Sequence, residues 1–238
     1  MENVTSLNKI ARIAGVGYLI IFISGIFANF FVLENLVKPD DAAATFSNIM
    51  ERQGQFRIGI MSFMIMVIFD VLLTWALYIL FKPVNKNLSL LSAWLRLVNC
   101  VIFGIALFNL FNVLGMTSGE SYLSAFETGQ IHANVMLNLD TFNYTWLIGL
   151  VFFGLHLSVI GYLIIKSDYI PSVIGILLII ASVGYLTDSF AQFLMPDYGR
   201  YAAVFSMIVV IPGVTGELAL TLWLLIKGVK INTDKIIH

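Results

Sequence analysis

Four ionisable residues lie inside apolar stretches of the sequence: Asp70, Arg96, His156 and Glu217. Each is about ten to twelve residues from a lysine that marks one end of its stretch, which is roughly 15 to 18 Å along a helix. That distance is close to half of the ~30 Å hydrocarbon core of a bilayer. Charged side chains are costly in lipid and usually face the interior of a helix bundle, where they pair or line a cavity. We therefore expect four helices to bring these residues to one level, called here the central polar layer.

The central polar layer has the groups needed to bind or translocate a small solute, an ion or a lipid. Glu217 and Asp70 would accept a cation or a proton. Arg96 would offset their charge or hold an anionic group, and His156 could titrate nearby. The alternative is a structural or sensor subunit, in which Arg96 and either carboxylate form a buried ion pair that locks the bundle and binds nothing.

Polar residues and a proline surround the charged ones. Asn99 shares a helical face with Arg96, and Thr221 follows Glu217 by one turn, so both are further candidates for ligand or ion binding. Pro212 precedes Glu217 and has glycines after it, which predicts a local break in that helix. Interrupted helices at mid-membrane are typical of substrate and ion sites in transporters. We expect Glu217 to be the carboxylate that Arg96 leaves free.

A second polar group is expected near the outer membrane surface. Asp188 lies about eighteen residues beyond Ile170, which is roughly 27 Å along a helix. Asp140 and Arg200 should lie at a similar level, so the three form a candidate outer polar cluster. A salt bridge between Asp188 and Arg200 would act as a clasp or as an access gate, and as an exposed pair it would add little stability.

Several chemistries lack their sequence signals. Cys100 is the single cysteine, which leaves no intramolecular disulfide and no CxxC zinc spacing. HExxH, GxSxG and GxxxxGK[ST] motifs are absent, so we expect no metal, no cofactor and no ATP-driven step in this chain. An intramembrane enzyme acting on a lipid-like substrate remains an alternative. It would need Glu217 and His156 within hydrogen-bonding reach for acid–base chemistry.

The composition identifies the class of protein that must position these residues. Of 238 residues, 59% are hydrophobic and 11% are charged, and the mean hydropathy is +0.93. Soluble domains have about 25% charged residues. The chain is therefore a polytopic membrane protein in contact with membrane lipids. Its net charge of −1 argues against a nucleic-acid partner, and its oligomeric state is left open.

Hydropathy predicts an all-α fold, a transmembrane bundle of six spans in a single domain over residues 1–238. The spans are approximately 13–33, 57–81, 88–114, 141–165, 170–194 and 201–226. The side of the bundle that holds both termini carries eight basic residues, whereas the other side carries four. The positive-inside rule therefore places both termini in the cytoplasm. The eight are Lys9, Arg12, Lys82, Lys86, Lys166, Lys227, Lys230 and Lys235, and the four are Lys38, Arg52, Arg57 and Arg200.

Two connections on the less basic side have features of their own. After Pro39, an aspartate cap predicts a short surface helix from Ala42 to Arg52, with Gly54 as its stop. The connection over residues 115–140 contains no lysine or arginine. It could form a lid or short surface helices, or it could be an ordinary solvated loop.

Four stretches resemble a known family. They are ARIAGVGYLIIFISGIFA (11–28), DAAATFSNI (41–49), FGLHLSVIGYLIIKSDYIPSVIGILLIIASVGYLTDSF (153–190) and GELALTLWLLIKG (216–228). The family is the bacterial membrane-protein family catalogued as domain of unknown function 4386. The resemblance implies a multi-pass inner-membrane protein and carries no activity with it. His156, Asp188 and Glu217 fall within the matching stretches.

Overall fold

Six helices in the structure are long and apolar enough to cross a membrane. The structure is a computed structural model that describes residues 2–229, so Lys230 and Lys235 of the basic side lie outside the described residues. Within residues 2–229 the chain folds into helices and contains no strand. The prediction of an all-α fold with six apolar spans is confirmed.

The helices follow one another with short connections. Helix α1 (Glu2–Ile26) continues through a π-helical segment (Phe27–Leu33) into the short α2 (Glu34–Leu36). A surface helix and two long antiparallel helices follow, namely α3 (Ala42–Glu51), α4 (Gln53–Phe81) and α5 (Lys86–Met116). After a 3₁₀ turn (Ser121–Ala125), the chain ends its described part with α6 (Thr128–Lys166), α7 (Ser172–Leu194) and α8 (Tyr198–Ile226).

The fourth span begins well before its predicted start at residue 141. Helix α6 starts at Thr128 and runs for 39 residues, about 58 Å, which exceeds the ~30 Å hydrocarbon core. Residues 128–140 alternate between polar and apolar side chains and are compatible with a helix, so the helix extends beyond the continuous apolar region. The connection over residues 115–140 is therefore half helix rather than a lid or a loop throughout.

The aspartate cap of the surface helix is confirmed, but the predicted stop is wrong. The Asp41 carboxylate accepts a hydrogen bond of 2.8 Å from the Ala44 backbone N–H at the start of α3. At the other end, only Arg52 separates α3 from α4, and Gly54 lies within the first turn of α4. Gly54 therefore does not end α3. An added Cβ at this position would meet nothing within 4 Å, so close packing does not require a glycine there either.

The predicted break at Pro212 is also wrong, because α8 is helical throughout Tyr198–Ile226. Proline lacks a backbone N–H, which leaves the carbonyl of Ile208 without its usual helical donor. That carbonyl faces α7, where a Cβ added to Gly184 would lie 2.6 Å from its oxygen. The glycine lets the two helices approach, and such contacts help membrane helices to tolerate proline.

The described chain divides into two compact units. The first unit comprises Met1–Leu19, Asp70–Asn99 and Ile148–His238, as far as these ranges are described, and the second comprises Ile20–Phe69 and Cys100–Leu147. Asp70, Arg96, Asn99, His156, Asp188, Arg200, Glu217 and Thr221 all belong to the first unit. The single domain over residues 1–238 stays a prediction.

Close helix packing in the first unit depends on small residues. A Cβ added to Gly161 of α6 would lie 2.6 Å from the Gly175 carbonyl oxygen of α7. A Cβ added to Gly15 of α1 would lie 2.7 Å from the Leu225 side chain of α8. In a membrane the hydrophobic effect does not drive helices together, so their association depends on van der Waals packing. Small residues at such crossings let the two backbones approach closely.

The second unit has an aromatic core. The Trp146 ring stacks on Phe103 with centroids 3.6 Å apart, and Phe63 and Phe142 flank it at 5.2 and 5.4 Å. A cleft of about 270 Å³ lies between α4 and α5 and has apolar walls. It is lined by Met64, Val67, Ile68, Gly104, Leu107, Phe108 and Phe111. Asp140 is exposed on α6 of this unit.

Candidate functional site

Arg96 forms an ion pair with Asp70 in the interior of the first unit. The two residues are 1% and 3% exposed. The guanidinium Nε donates to Asp70 Oδ1 at 2.7 Å, and Nη2 contacts the same oxygen. Asn99 donates from Nδ2 to Asp70 Oδ2 at 3.3 Å. Of the two carboxylates left open by the sequence, Asp70 is the partner of Arg96.

His156 completes this arrangement from α6. Its Nε2 lies 3.0 Å from Arg96 Nη1, and its Nδ1 lies 2.9 Å from both the hydroxyl and the carbonyl oxygen of Ser92. Arginine can only donate hydrogen bonds, so Nε2 must accept and Nδ1 must carry the proton. The contacts therefore fit a neutral imidazole in its Nδ1–H form, with both ring nitrogens engaged.

Two aromatic rings enclose the guanidinium. The Arg96 Cζ atom lies 5.2 Å from the Tyr18 ring centroid and 5.3 Å from the Phe153 ring centroid. Cation–π contacts of this kind contribute about 2 kcal/mol when they are desolvated. We call Asp70, Arg96, Asn99 and His156 the Arg96 cluster. Its positive and negative charges balance.

The spacing of residues along their helices explains why the cluster forms. Ser92, Arg96 and Asn99 follow one another at four and three residues on α5, so they share one face. Phe153 and His156 are three residues apart on α6 and also share a face. The predicted common face of Arg96 and Asn99 is confirmed by their shared contact with Asp70.

Glu217 lies on α8 and takes no part in the ion pair. Its side chain is half-buried, and Oε1 accepts a hydrogen bond of 3.3 Å from the Tyr185 hydroxyl of α7. A Cβ added to Gly213 would lie 3.2 Å from that hydroxyl oxygen, so this glycine makes room for the tyrosine. No cation contacts the carboxylate among the described residues. The Thr221 hydroxyl donates to the Glu217 backbone carbonyl at 2.7 Å and is turned toward its own helix.

The outer polar cluster forms only in part. The Asp188 carboxylate accepts hydrogen bonds from the Tyr198 hydroxyl at 2.6 Å and from Gln192 Nε2 at 2.9 Å. Arg200 is exposed and does not contact it, so the expected salt bridge is wrong. Gln192 lies one turn away on the same helix and Tyr198 lies at the start of α8. These two neutral donors therefore occupy the Asp188 carboxylate in place of Arg200. Asp140 belongs to the second unit.

The contacts of His156 and Glu217 can be compared with those that acid–base catalysis or metal binding would need. No hydrogen bond joins His156 to Glu217, and both nitrogens of the imidazole are engaged elsewhere. Over residues 2–229, no group of three or more His, Cys, Asp or Glu side chains is placed to hold a metal ion. The contacts do not assemble the acid–base pair that an intramembrane enzyme would need.

Sequence reasoning missed four residues that contact the ionisable ones, namely Tyr18, Ser92, Phe153 and Tyr185. Aromatic side chains in membrane helices are ordinarily packing residues, so their types gave no reason to single them out. For Phe153 and Tyr185 a signal was present, because both lie in the stretch over residues 153–190 that carries the family resemblance.

Comparisons with known proteins agree with that resemblance. The family described as domain of unknown function DUF4386 matches residues 13–228. An uncharacterized protein from Archaeoglobus fulgidus is 33% identical over 174 residues, which is 73% of this chain and 86% of that protein. No solved structure matches the chain. The six apolar helices and the match over nearly the whole chain identify it as a multi-pass membrane protein of the DUF4386 family.

Proposed function

We propose that this protein binds or translocates a small cationic solute or ion, the proton included, at Glu217. The observation that carries the proposal is the state of its carboxylate. It lies in a membrane-spanning helix, it is half-buried, and its one hydrogen-bond donor among the described residues is the neutral Tyr185 hydroxyl. An uncompensated carboxylate in such a place is costly, and a bound cation or proton removes that cost.

The Arg96 cluster supports the proposal by contrast. Asp70 already has its cation, Arg96 contacts an anion, an imidazole and two rings, and His156 has both nitrogens engaged. A ligand at this cluster would have to displace contacts that are already made. We therefore assign it a scaffolding role, in which it holds the three helices α4, α5 and α6 in register beside the binding residue.

The same proposal includes an orientation. We infer that both termini lie in the cytoplasm, because the described basic residues Lys9, Lys82, Lys166 and Lys227 all flank the spans on the side that holds the termini. The family resemblance favours the inner membrane. Glu217 is ten residues from Lys227, about 15 Å along the helix. This depth supports a site within the hydrocarbon region.

The test is transport by the purified protein in vesicles. Proteoliposomes would be loaded with a pH-sensitive dye or with radioactive Na⁺ or K⁺, and flux would be followed under an imposed membrane potential. We expect Glu217→Gln to abolish the flux of the transported cation, because the amide keeps the shape of the side chain and removes its charge. Unchanged flux in this variant would overturn the proposal.

A matched control lies two residues away on the same helix. Thr215 is exposed, and its hydroxyl donates to the Ile211 carbonyl oxygen at 2.6 Å within α8. Thr215→Ala should leave flux unchanged. Equal loss of flux in Thr215→Ala and Glu217→Gln would show that α8 tolerates no substitution, and Glu217 would lose its assignment.

A further inference from the structure

We propose that Glu217 exchanges its cation or proton with water at the Asp188 end of α7, along a polar face of that helix. The inference rests on the proposed function and adds its route. The face consists of Tyr185, Asp188, Ser189 and Gln192, called here the α7 polar face. It connects the central polar layer to the end of α7 at Leu194.

Helical geometry places these four residues on one side of α7. They lie at positions i, i+3, i+4 and i+7, counted from Tyr185, which is the spacing of a common face. The distance from Tyr185 to Gln192 is two turns, about 10 Å. Gln192 is two residues before the end of the helix at Leu194. The face therefore spans the distance between the Glu217 carboxylate and the end of the helix.

Polar contacts mark both ends of the α7 polar face. At the deep end, the Tyr185 hydroxyl donates to Glu217 at 3.3 Å. At the shallow end, Asp188 accepts from Tyr198 at 2.6 Å and from Gln192 at 2.9 Å. A carboxylate near the surface can collect cations or protons for a deeper one.

Ser189 lies between these ends and supplies an independent observation. The residue is 0% exposed, and its hydroxyl has no hydrogen-bond partner in the described protein. Buried hydroxyl groups are nearly always paired, with protein or with water. An unpaired hydroxyl between Tyr185 and Gln192 on this face suits a polar species that passes along the face and pairs with it in transit.

The opposite direction from Glu217 is closely packed, and the polar side chain of Thr221 there is bonded to the helix backbone. Leu220 and Leu224 follow Glu217 on α8, and both are 0% exposed. Farther along, a Cβ added to Gly15 of α1 would lie 2.7 Å from the Leu225 side chain, so little space separates these helices. The polar contacts and the packing therefore both favour the Asp188 end.

Several other charged and titratable groups lie close enough to Glu217 to change how its occupancy depends on pH. Tyr185 of α7 is the direct contact of Glu217. Arg96 of α5 and Asp70 of α4 act on Glu217 through their charges, and Tyr18 of α1 lies within electrostatic range of all three. Because Arg96 and Asp70 neutralise one another, Glu217 is the group in this set that is expected to change its occupancy.

The experiment uses two carbodiimides on the full protein in vesicles. A carbodiimide adds to a protonated carboxylic acid, and mass spectrometry locates the adduct. The hydrophobic reagent enters from the bilayer, whereas the water-soluble reagent must arrive along an aqueous route. We expect both to label Glu217, with labelling that decreases as pH rises. Asp70, paired with Arg96, is an internal control that should remain unlabelled.

Two variants then test the route. Asp188→Leu and Ser189→Ala each remove one polar step, which should slow labelling by the water-soluble reagent about tenfold, the effect of losing one hydrogen bond of ~1.4 kcal/mol. Labelling by the hydrophobic reagent should stay the same and shows that the variant is folded. Thr187→Ala, an exposed neighbour on another face of α7, should leave both rates unchanged.

The outcomes separate the route from the site. If the hydrophobic reagent labels Glu217 but the water-soluble one never does, or does so equally fast in all variants, the α7 route is wrong and the proposed site stands. If neither reagent labels Glu217 in the folded protein, or if Asp70 is labelled as fast, the proposed function itself is overturned.

Discussion

Replacing Arg96 by methionine is the sharpest test of the scaffolding role of the Arg96 cluster. Methionine keeps the length and flexibility of the side chain and removes the charge. The Asp70 carboxylate then stays buried without the cation that Nε and Nη2 supply, and His156 Nε2 loses its donor at 3.0 Å. Both groups are left in a region where water cannot replace the lost contacts.

The contacts set the expected magnitude. Removing one partner of a buried ion pair costs about 3 to 5 kcal/mol, and an orphaned neutral acceptor costs about 1 to 3 kcal/mol. In membrane proteins the unfolded state also finds polar partners, which lowers such values. We therefore expect Arg96→Met to reduce the free energy of unfolding by about 3 kcal/mol, more than a hundredfold in the folded-to-unfolded ratio.

The double variant Asp70→Leu with Arg96→Met provides the matched comparison. It removes both charges and leaves two neutral groups, His156 Nε2 and the Asn99 amide, without their present partners. At roughly 0.6 to 1 kcal/mol for each, the loss should be about 1 to 2 kcal/mol. The double variant should therefore be more stable than Arg96→Met alone, as is common for buried ion pairs that are replaced together.

The assay is unfolding of the protein in mild detergent by added sodium dodecyl sulfate, followed by tryptophan fluorescence. Two results would refute the reasoning. If Arg96→Met is no less stable than the double variant, the pair does not behave as a buried ion pair. If the double variant is folded but has lost the cation flux that depends on Glu217, the Arg96 cluster belongs to the binding site.

Two further predictions concern packing and pH. Gly161→Ala should cost about 1 to 3 kcal/mol, because its Cβ would lie 2.6 Å from the Gly175 carbonyl oxygen. Gly104→Ala, whose Cβ meets nothing within 4 Å, should change stability by less than about 0.5 kcal/mol in the same titration, and equal losses would contradict the packing argument. Tyr169 donates its hydroxyl hydrogen to the Leu80 carbonyl oxygen at 2.7 Å, and burial raises its pKa above the ordinary 10.0. The neutral phenol therefore stabilises the fold below about pH 10, and this contribution is lost as pH rises through the raised pKa. Tyr169→Phe should cost about 1 kcal/mol at neutral pH and should reduce the alkaline loss of stability, and an unchanged alkaline slope would contradict this assignment.

The helices could be predicted because bilayer thickness sets a minimum apolar length, and each span meets it. Hydropathy finds the continuously apolar part of a helix, so it could not find the beginning of α6 at Thr128, where polar and apolar side chains are mixed. Glycine is common just after helix ends, but its presence does not require an end. At Gly54 the next helix has already begun. Asp41 was predictable because its cap depends on local contacts alone.

The site could be predicted only as far as depth along a helix allows. Counting residues put Asp70 and Glu217 at a similar depth, but the choice of Arg96 partner depends on helix rotation and neighbours, which the sequence does not give. The effect of Pro212 could not be predicted from the sequence for the same reason. Its freed carbonyl, that of Ile208, faces Gly184 across the α7 and α8 contact, and nothing in α8 alone reveals that neighbour.

The charge balance of the Arg96 cluster has a consequence for membrane voltage. One elementary charge that crosses the whole membrane gains or loses about 2.3 kcal/mol per 100 mV. Asp70 and Arg96 carry opposite charges in contact, so the electric field does no net work on them when they move together. A cation that reaches Glu217 crosses part of the field by itself. Under the proposed function, voltage would therefore change how often Glu217 is occupied and leave the scaffold around it unaffected.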